Sequence, residues 1–150
     1  MYACSVLGAH LAWIQPCAIC DFETGVVLVD ETSRSAEAVL DLLARGAGAV
    51  VPPIWLYEVA NALLIAERRN RIRIAQVTAL MRRITQLPIQ VNVVDGDLVF
   101  DKILPLARQL KLTAYDAAYV ELAHREDIAL ASLDEGLRHA ARTSGLPLLV

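Results

Sequence analysis

The chain is poor in lysine, in aromatic residues and in cysteine, and its first twenty residues carry no charge. Only three cysteines occur among 150 residues. A small secreted domain held by disulfides usually shows an even and denser set, so that class is excluded. Cys17 and Cys20 form a C-x-x-C pair, with Cys4 and His10 upstream. Those four side chains would suit a Cys3His zinc site. No second C-x-x-C follows, and no thioredoxin-like strand and helix frame the pair, so they are read as plain thiols. Residues 1–20 lack Lys, Arg, Asp and Glu. A secretory leader needs a basic start, which Met1-Tyr2-Ala3 does not supply. A membrane-spanning helix needs about 20 apolar residues, and Gly8, His10, Gln15 and Pro16 interrupt this stretch. The expectation is a soluble, cytoplasmic protein with no membrane partner. Gly46-Ala47-Gly48 lacks the lysine and the helix context of a phosphate-binding loop. His10, His124 and His139 stand in unrelated contexts, so no Ser-His-Asp order emerges.

What is present is apolar bulk. Hydrophobic residues make up 56% of the chain, and mean hydropathy is +0.45. Disorder and low-complexity stalks are thereby excluded. The length suits one domain, residues 1–150, with 1–29 atypical. Seventeen acids against fourteen bases give a net charge of −3. A protein that coats polyanions wholesale would be basic. The bases are nearly all arginine, and they cluster as Arg68, Arg69, Arg71 and Arg73, then Arg82 and Arg83. Cations at a helix end complement its dipole, which is the plainer reading of the cluster. A phosphate-contacting patch is the sharper one.

Elements alternate along the chain. Apolar periodicity predicts helices over 33–45, 54–69, 74–86, 96–110, 114–125 and 134–143. Short apolar runs predict strands at 49–51, 89–94, 128–131 and 147–150. Short apolar strands between helices imply a parallel sheet covered on both faces. The expected fold is α/β: a three-layer α/β/α sandwich around a mostly parallel sheet of four to five strands. Ligands in such folds bind beyond the carboxyl ends of the strands.

Acids stand where that rule puts chemistry. Glu58 lies one turn into the helix after strand 49–51, with apolar neighbours at 59, 60, 62, 63 and 64. A solvated Glu keeps polar company, so this one is expected to point into a cleft. Asn61 shares its helix face, three residues on. Asp116 has a structural explanation as well. Thr113 and Asp116 have the spacing of a capping box. For Asp134, Ser132 is read as the cap of the following helix, with Asp134 and Glu135 complementing its dipole. Singly, each acid is explained by structure. Together, Glu58, Asp116 and Asp134 come from three segments that converge. Converging carboxylates repel, and a divalent cation relieves that repulsion. Hard oxygen donors suit Mg²⁺ or Mn²⁺, and such an ion assists phosphodiester hydrolysis.

Three stretches carry a family resemblance: Val51-Pro52-Pro53-Ile54-Trp55 through Glu58-Val59-Ala60-Asn61-Ala62-Leu63; Leu112-Thr113-Ala114-Tyr115-Asp116-Ala117-Ala118-Tyr119 with Glu121-Leu122-Ala123; and Leu130-Ala131-Ser132-Leu133-Asp134. In order and spacing, from about residue 30 to the end, they resemble the PIN-domain family, in particular VapC-type toxins of bacterial toxin–antitoxin pairs. The resemblance implies a metal-dependent endoribonuclease that acts on RNA, forms a homodimer and is held inactive by a VapB-type antitoxin. It makes Glu58, Asp116 and Asp134 metal-site acids, with Asn61, Thr113 and Ser132 in support. Arg68, Arg69, Arg71 and Arg73 would meet RNA phosphates. The family opens with a buried strand ending in Asp, and this chain departs from that pattern. Asp21 follows Ala18-Ile19-Cys20, but Glu23 stands where a Ser is expected. Cys4-Ser5-Val6 with Leu11-Ala12-Trp13 resembles the opening motif too, but Ala3 then holds the Asp position. Asp21 is adopted as the fourth acid. The alternative is a catalytically impaired module that still binds an antitoxin. A phospho-accepting receiver domain would need a Lys at a late strand end, and neither Lys102 nor Lys111 occupies one.

Overall fold

The computed structural model describes residues 10–12 and 34–149. Asp21, Asp30, Glu31, Cys4, Cys17 and Cys20 lie outside them, as do both segments weighed as the opening motif, apart from Leu11 and Ala12. Three strands, β1 (His10–Ala12), β2 (Gly48–Val51) and β3 (Ile89–Val91), form one parallel sheet in the order β1-β2-β3. Among the described residues the first strand is His10–Ala12, which includes Leu11 and Ala12 of the second segment and was not expected as a strand. Around the sheet run α1 (Arg34–Ala44), α2 (Ile54–Arg68), α3 (Ile74–Ile84), α4 (Leu104–Leu110), α5 (Ala114–Glu126) and α6 (Glu135–Thr143).

β2 forms where the sequence runs Gly-Ala-Val-Val, and three of its four residues are buried. Burial on both faces is what a central parallel strand requires. Pro52 and Pro53 end it, because proline has no N–H to extend a ladder. Pro53 then opens α2, which buries Trp55, Val59, Ala62, Leu63 and Ala66 at helical spacing. β3 is shorter than the expected 89–94. Asn92 N–H still donates to the Val51 carbonyl at 2.7 Å. Beyond it Val93 is 88% exposed, so the apolar alternation has no sheet to pack on.

The two late strands shrink further. Leu130 and Leu148 make an isolated parallel bridge. Leu130 N–H donates to the Pro147 carbonyl, and Leu149 N–H to the Leu130 carbonyl. The expected helix over 96–110 is interrupted too. Residues Leu98–Ile103 form a π-helical turn that runs into α4. Pro105 sits at the start of α4. Proline has no N–H, so the carbonyl four residues earlier loses its ordinary α-helical donor. The wider turn upstream absorbs that mismatch, with Leu104 N–H reaching back to Val99.

α5 is the central helix of the core. Ala117, Tyr119, Val120, Leu122 and Ala123 are all essentially inaccessible. The last four pack in one cluster with Val51, Val59, Leu63, Leu130 and Leu137, while Ala117 packs with Ile103 and Ala107. Arg125, near the end of α5, donates to Glu121, Glu126 and Asn92. The last of these bonds ties α5 to the residue after β3. The core therefore fixes α2 and α5 relative to each other; Glu58 stands one turn into α2 and Asp116 in the first turn of α5.

Candidate metal centre

Glu58 is half-buried on α2, as its apolar neighbours implied. Its Oε2 accepts a hydrogen bond from the Tyr119 hydroxyl at 2.5 Å. Burial raises the pKa of its carboxyl above the usual 4.5, the phenol hydrogen bond draws it back, and the negative charge of Asp116 raises it again. That last influence is the structural sign that the two carboxylates share one field. They come from positions 58 residues apart in the chain, brought together by the packing of α2 on α5.

Asp116 sits in the first turn of α5. Thr113 is the N-cap: its Oγ1 accepts from Asp116 N–H at 3.1 Å and donates to Asp116 Oδ2 at 2.7 Å. The expected Thr–Asp partnership is present, with the hydroxyl engaging both ends of Asp116. Such a cap contributes about 1 kcal/mol, and here it also holds a carboxylate.

Asp134 corrects the reading of its loop. The cap of α6 is Asp134 itself, not Ser132: Asp134 Oδ1 accepts from Leu137 N–H at 2.9 Å. Ser132 Oγ accepts from Asp134 N–H at 3.1 Å, which sets the loop two residues earlier. Ser132 is 1% exposed. The two residues share the work because an Asp directly before a helix reaches the third N–H better than a Ser two residues farther out. Asn61 is exposed on α2. Among the described residues, no group of three His, Cys, Asp or Glu side chains stands close enough to hold one ion. The structure thus brings Glu58 and Asp116 together and leaves Asp134 in its capping position. Asp21 lies outside the described residues.

Tyr119 is the residue sequence reasoning missed. It follows Asp116 by three on the same helix, so the spacing placed it on the same face. It figures in the sequence motifs only within the stretch Leu112–Tyr119, with no role given to its hydroxyl.

Arg68, Arg69, Arg71 and Arg73 are exposed around the turn between α2 and α3, as are Arg82 and Arg83 near the end of α3. Arg68 lies ten residues beyond Glu58 on one helix, about 15 Å along its axis. Between α2 and α3 runs an apolar groove of about 370 Å³, lined by Trp55, Leu56, Val59, Leu63, Val77 and Met81 among others. Leu56 and Met81 are half-exposed there. Trp55 Nε1 is buried without a hydrogen-bond partner among the described residues.

The model for the PIN domain matches residues 23–143. The chain belongs to the PIN domain family. The match starts just after Asp21 and contains Glu58, Asp116 and Asp134. A PIN domain is a nuclease-type fold, and PIN domains generally use divalent metal ions. Among solved structures, the crystal structure of PAE2754 from Pyrobaculum aerophilum is similar to this chain, with a TM-score of 0.57 and 18% identity over 89% of this chain and 86% of that one. At that identity the likeness concerns the fold. A search of curated proteins gave no match.

The donor set fits a hard cation in kind. Glu58 and Asp116 offer carboxylate oxygens, burial discourages the charge on Glu58, and mutual repulsion discourages it further. A cation between them would offset both penalties.

Proposed function

We propose that this PIN domain is a metal-dependent endoribonuclease and the toxin of a toxin–antitoxin pair. The observation that carries the reading is the Tyr119–Glu58 hydrogen bond, which ties Glu58 on α2 to the helix that carries Asp116 one turn earlier, so that the two acids share one field. These two carboxylates would hold Mg²⁺ or Mn²⁺, with Asp134 and Asp21 as the further acids of the site. When bound, the ion supplies positive charge for the phosphodiester and lowers the pKa of water. The chain's own residues do the rest. Thr113 holds Asp116, and Tyr119 holds Glu58. The arginines of the α2–α3 turn engage flanking phosphates. Tyr57 and Tyr115, 73% and 63% exposed, adjoin the two acids in sequence and offer ring faces to unstacked bases. That feature favours single-stranded RNA as substrate.

The antitoxin partner is supported by the groove between α2 and α3. Its walls are apolar, and arginines stand at the α2–α3 turn and at the end of α3. The complementary segment is an amphipathic helix with an apolar stripe and acidic flanks. Arginine on the rim would repel the same rim of a second copy, so the groove suits the antitoxin and the homodimer would use another face. No helix among the described residues is long and apolar enough to cross a membrane.

The test is cleavage of single-stranded RNA by the purified chain with Mg²⁺, with Mn²⁺ and with EDTA, beside Asp116→Asn. Metal-dependent cleavage lost in the variant supports the proposal. Cleavage in EDTA, or full activity in Asp116→Asn, contradicts it. A second reading is a module that binds its antitoxin but turns over poorly. It is favoured by one observation: the described residues bring together two of the acids rather than three. Metal binding without cleavage would support it.

A further inference from the structure

Tyr119 is fully buried, and its hydroxyl ends on a carboxylate that is only half-buried. The bond spans 61 residues of chain and joins α5 to α2. A buried tyrosine needs a partner for its hydroxyl, but a backbone carbonyl would serve as well. Here the partner is a charged group at the candidate metal centre. The bond is charge-assisted, which makes it short and directional. It also comes from the helix that carries Asp116, one turn farther along. A single rigid element therefore sets both one acid and the orientation of the other.

We infer that Tyr119 is a positioning residue for the cation site: its hydroxyl engages Glu58 Oε2 and so aims the carboxylate at an ion shared with Asp116. The inference rests on the metal-site reading proposed above. With Oε2 engaged by the phenol, Oε1 accepts no hydrogen bond among the described residues and is the oxygen left to face a cation. Glu has three rotatable side-chain bonds, and a ligand held in one rotamer loses less freedom on binding than a mobile one. Partners of this kind outside the ligand set typically change metal affinity by about 10-fold to 100-fold when removed. Tyr119→Phe removes the hydroxyl and keeps the ring that fills the core.

The experiment is calorimetric titration of the full chain with Mn²⁺, for wild type, Tyr119→Phe, Glu58→Gln and the double variant, each checked for folding by circular dichroism. Tyr119→Phe is expected to weaken Mn²⁺ binding by about 10-fold or more. In the Glu58→Gln background the same change is expected to add little, because the carboxylate it orients is gone. A merely structural tyrosine would lower the melting temperature in both backgrounds and leave the Mn²⁺ affinity alone. That outcome overturns the inference while the metal site stands. Absence of Mn²⁺ binding in the wild type overturns the metal-site reading and this inference with it. Should Tyr119→Phe fail to fold, the wild-type chain still decides. The ring ¹³Cζ resonance of Tyr119 is expected to shift on Mg²⁺ saturation, as the cation draws charge from Glu58. A resonance unmoved at saturating Mg²⁺ contradicts the inference.

Discussion

The hydroxyl of Tyr119 on α5 donates to Oε2 of Glu58 on α2, and the carboxylate it holds lies in the field of Asp116, one turn before Tyr119. Two helices far apart in sequence are thereby joined at the point where their acids meet. Repulsion between the acids is tolerated because the surrounding core is rigid: Ala117, Val120 and Ala123 of the same helix are inaccessible. Rigid placement of like charges is how a fold prepares a site for a cation.

The first consequence is a pH dependence of stability. The folded chain raises the pKa of Glu58 above the usual 4.5, chiefly by burial. The fold therefore binds this proton more tightly than the unfolded chain does. Stability from this group is full in acid, falls as pH rises from about the ordinary value through the raised one, and stays lower above it. Glu58→Gln removes that loss and keeps an acceptor for Tyr119. With EDTA present, the variant is expected to melt above the wild type at neutral pH, with the gap closing in acid below the usual carboxyl range. Thermal melts across pH check it. A gap that widens in acid contradicts the assignment.

Asp134 separates two roles by substitution. As the cap of α6 it bonds Leu137 N–H. Asp134→Ala should cost about 1 kcal/mol of stability, within roughly 0.5–2. Asn caps helices about as well as Asp, so Asp134→Asn should melt like the wild type. Its effect on cleavage then reports charge alone. A loss of 10-fold or more in Asp134→Asn, with an unchanged melting temperature, is the result expected for an acid of the metal site. Unchanged cleavage would confine Asp134 to capping.

The arginines make a salt-dependent prediction. If Arg68 and Arg69 each neutralise one phosphate, the double alanine variant should weaken single-stranded RNA binding and lower the slope of log affinity against log salt by about 1.4, at about 0.7 per contact. Both side chains are exposed, so folding should be unaffected. Binding isotherms at several salt concentrations measure the slope, and an unchanged slope contradicts a phosphate role.

Much of this was legible before the structure. The apolar company of Glu58 foretold its half-buried position, and the Thr113–Asp116 spacing foretold the cap. Spacing of the motif acids foretold the family, which the match over residues 23–143 shows. Other features were hidden for identifiable reasons. Ser132 and Asp134 both have capping side chains, and only the backbone geometry decides which one reaches Leu137. The π turn before α4 depends on how Pro105 is accommodated, which periodicity does not encode. The Tyr119–Glu58 bond joins distant residues of unlike type, and no local pattern announces such a pair. The runs at 128–131 and 147–150 looked like strands, but their ladder amounts to one bridge, at Leu130 and Leu148.

The most direct test of the central claim is cleavage of a labelled single-stranded RNA under single-turnover conditions, comparing wild type with Asp116→Asn in Mg²⁺ and in EDTA. Internal cleavage by the wild type is expected in Mg²⁺, none in EDTA, and a loss of 100-fold or more in the variant, about 3 kcal/mol of transition-state stabilisation. Equal cleavage by wild type and Asp116→Asn, or cleavage that persists in EDTA, would contradict it.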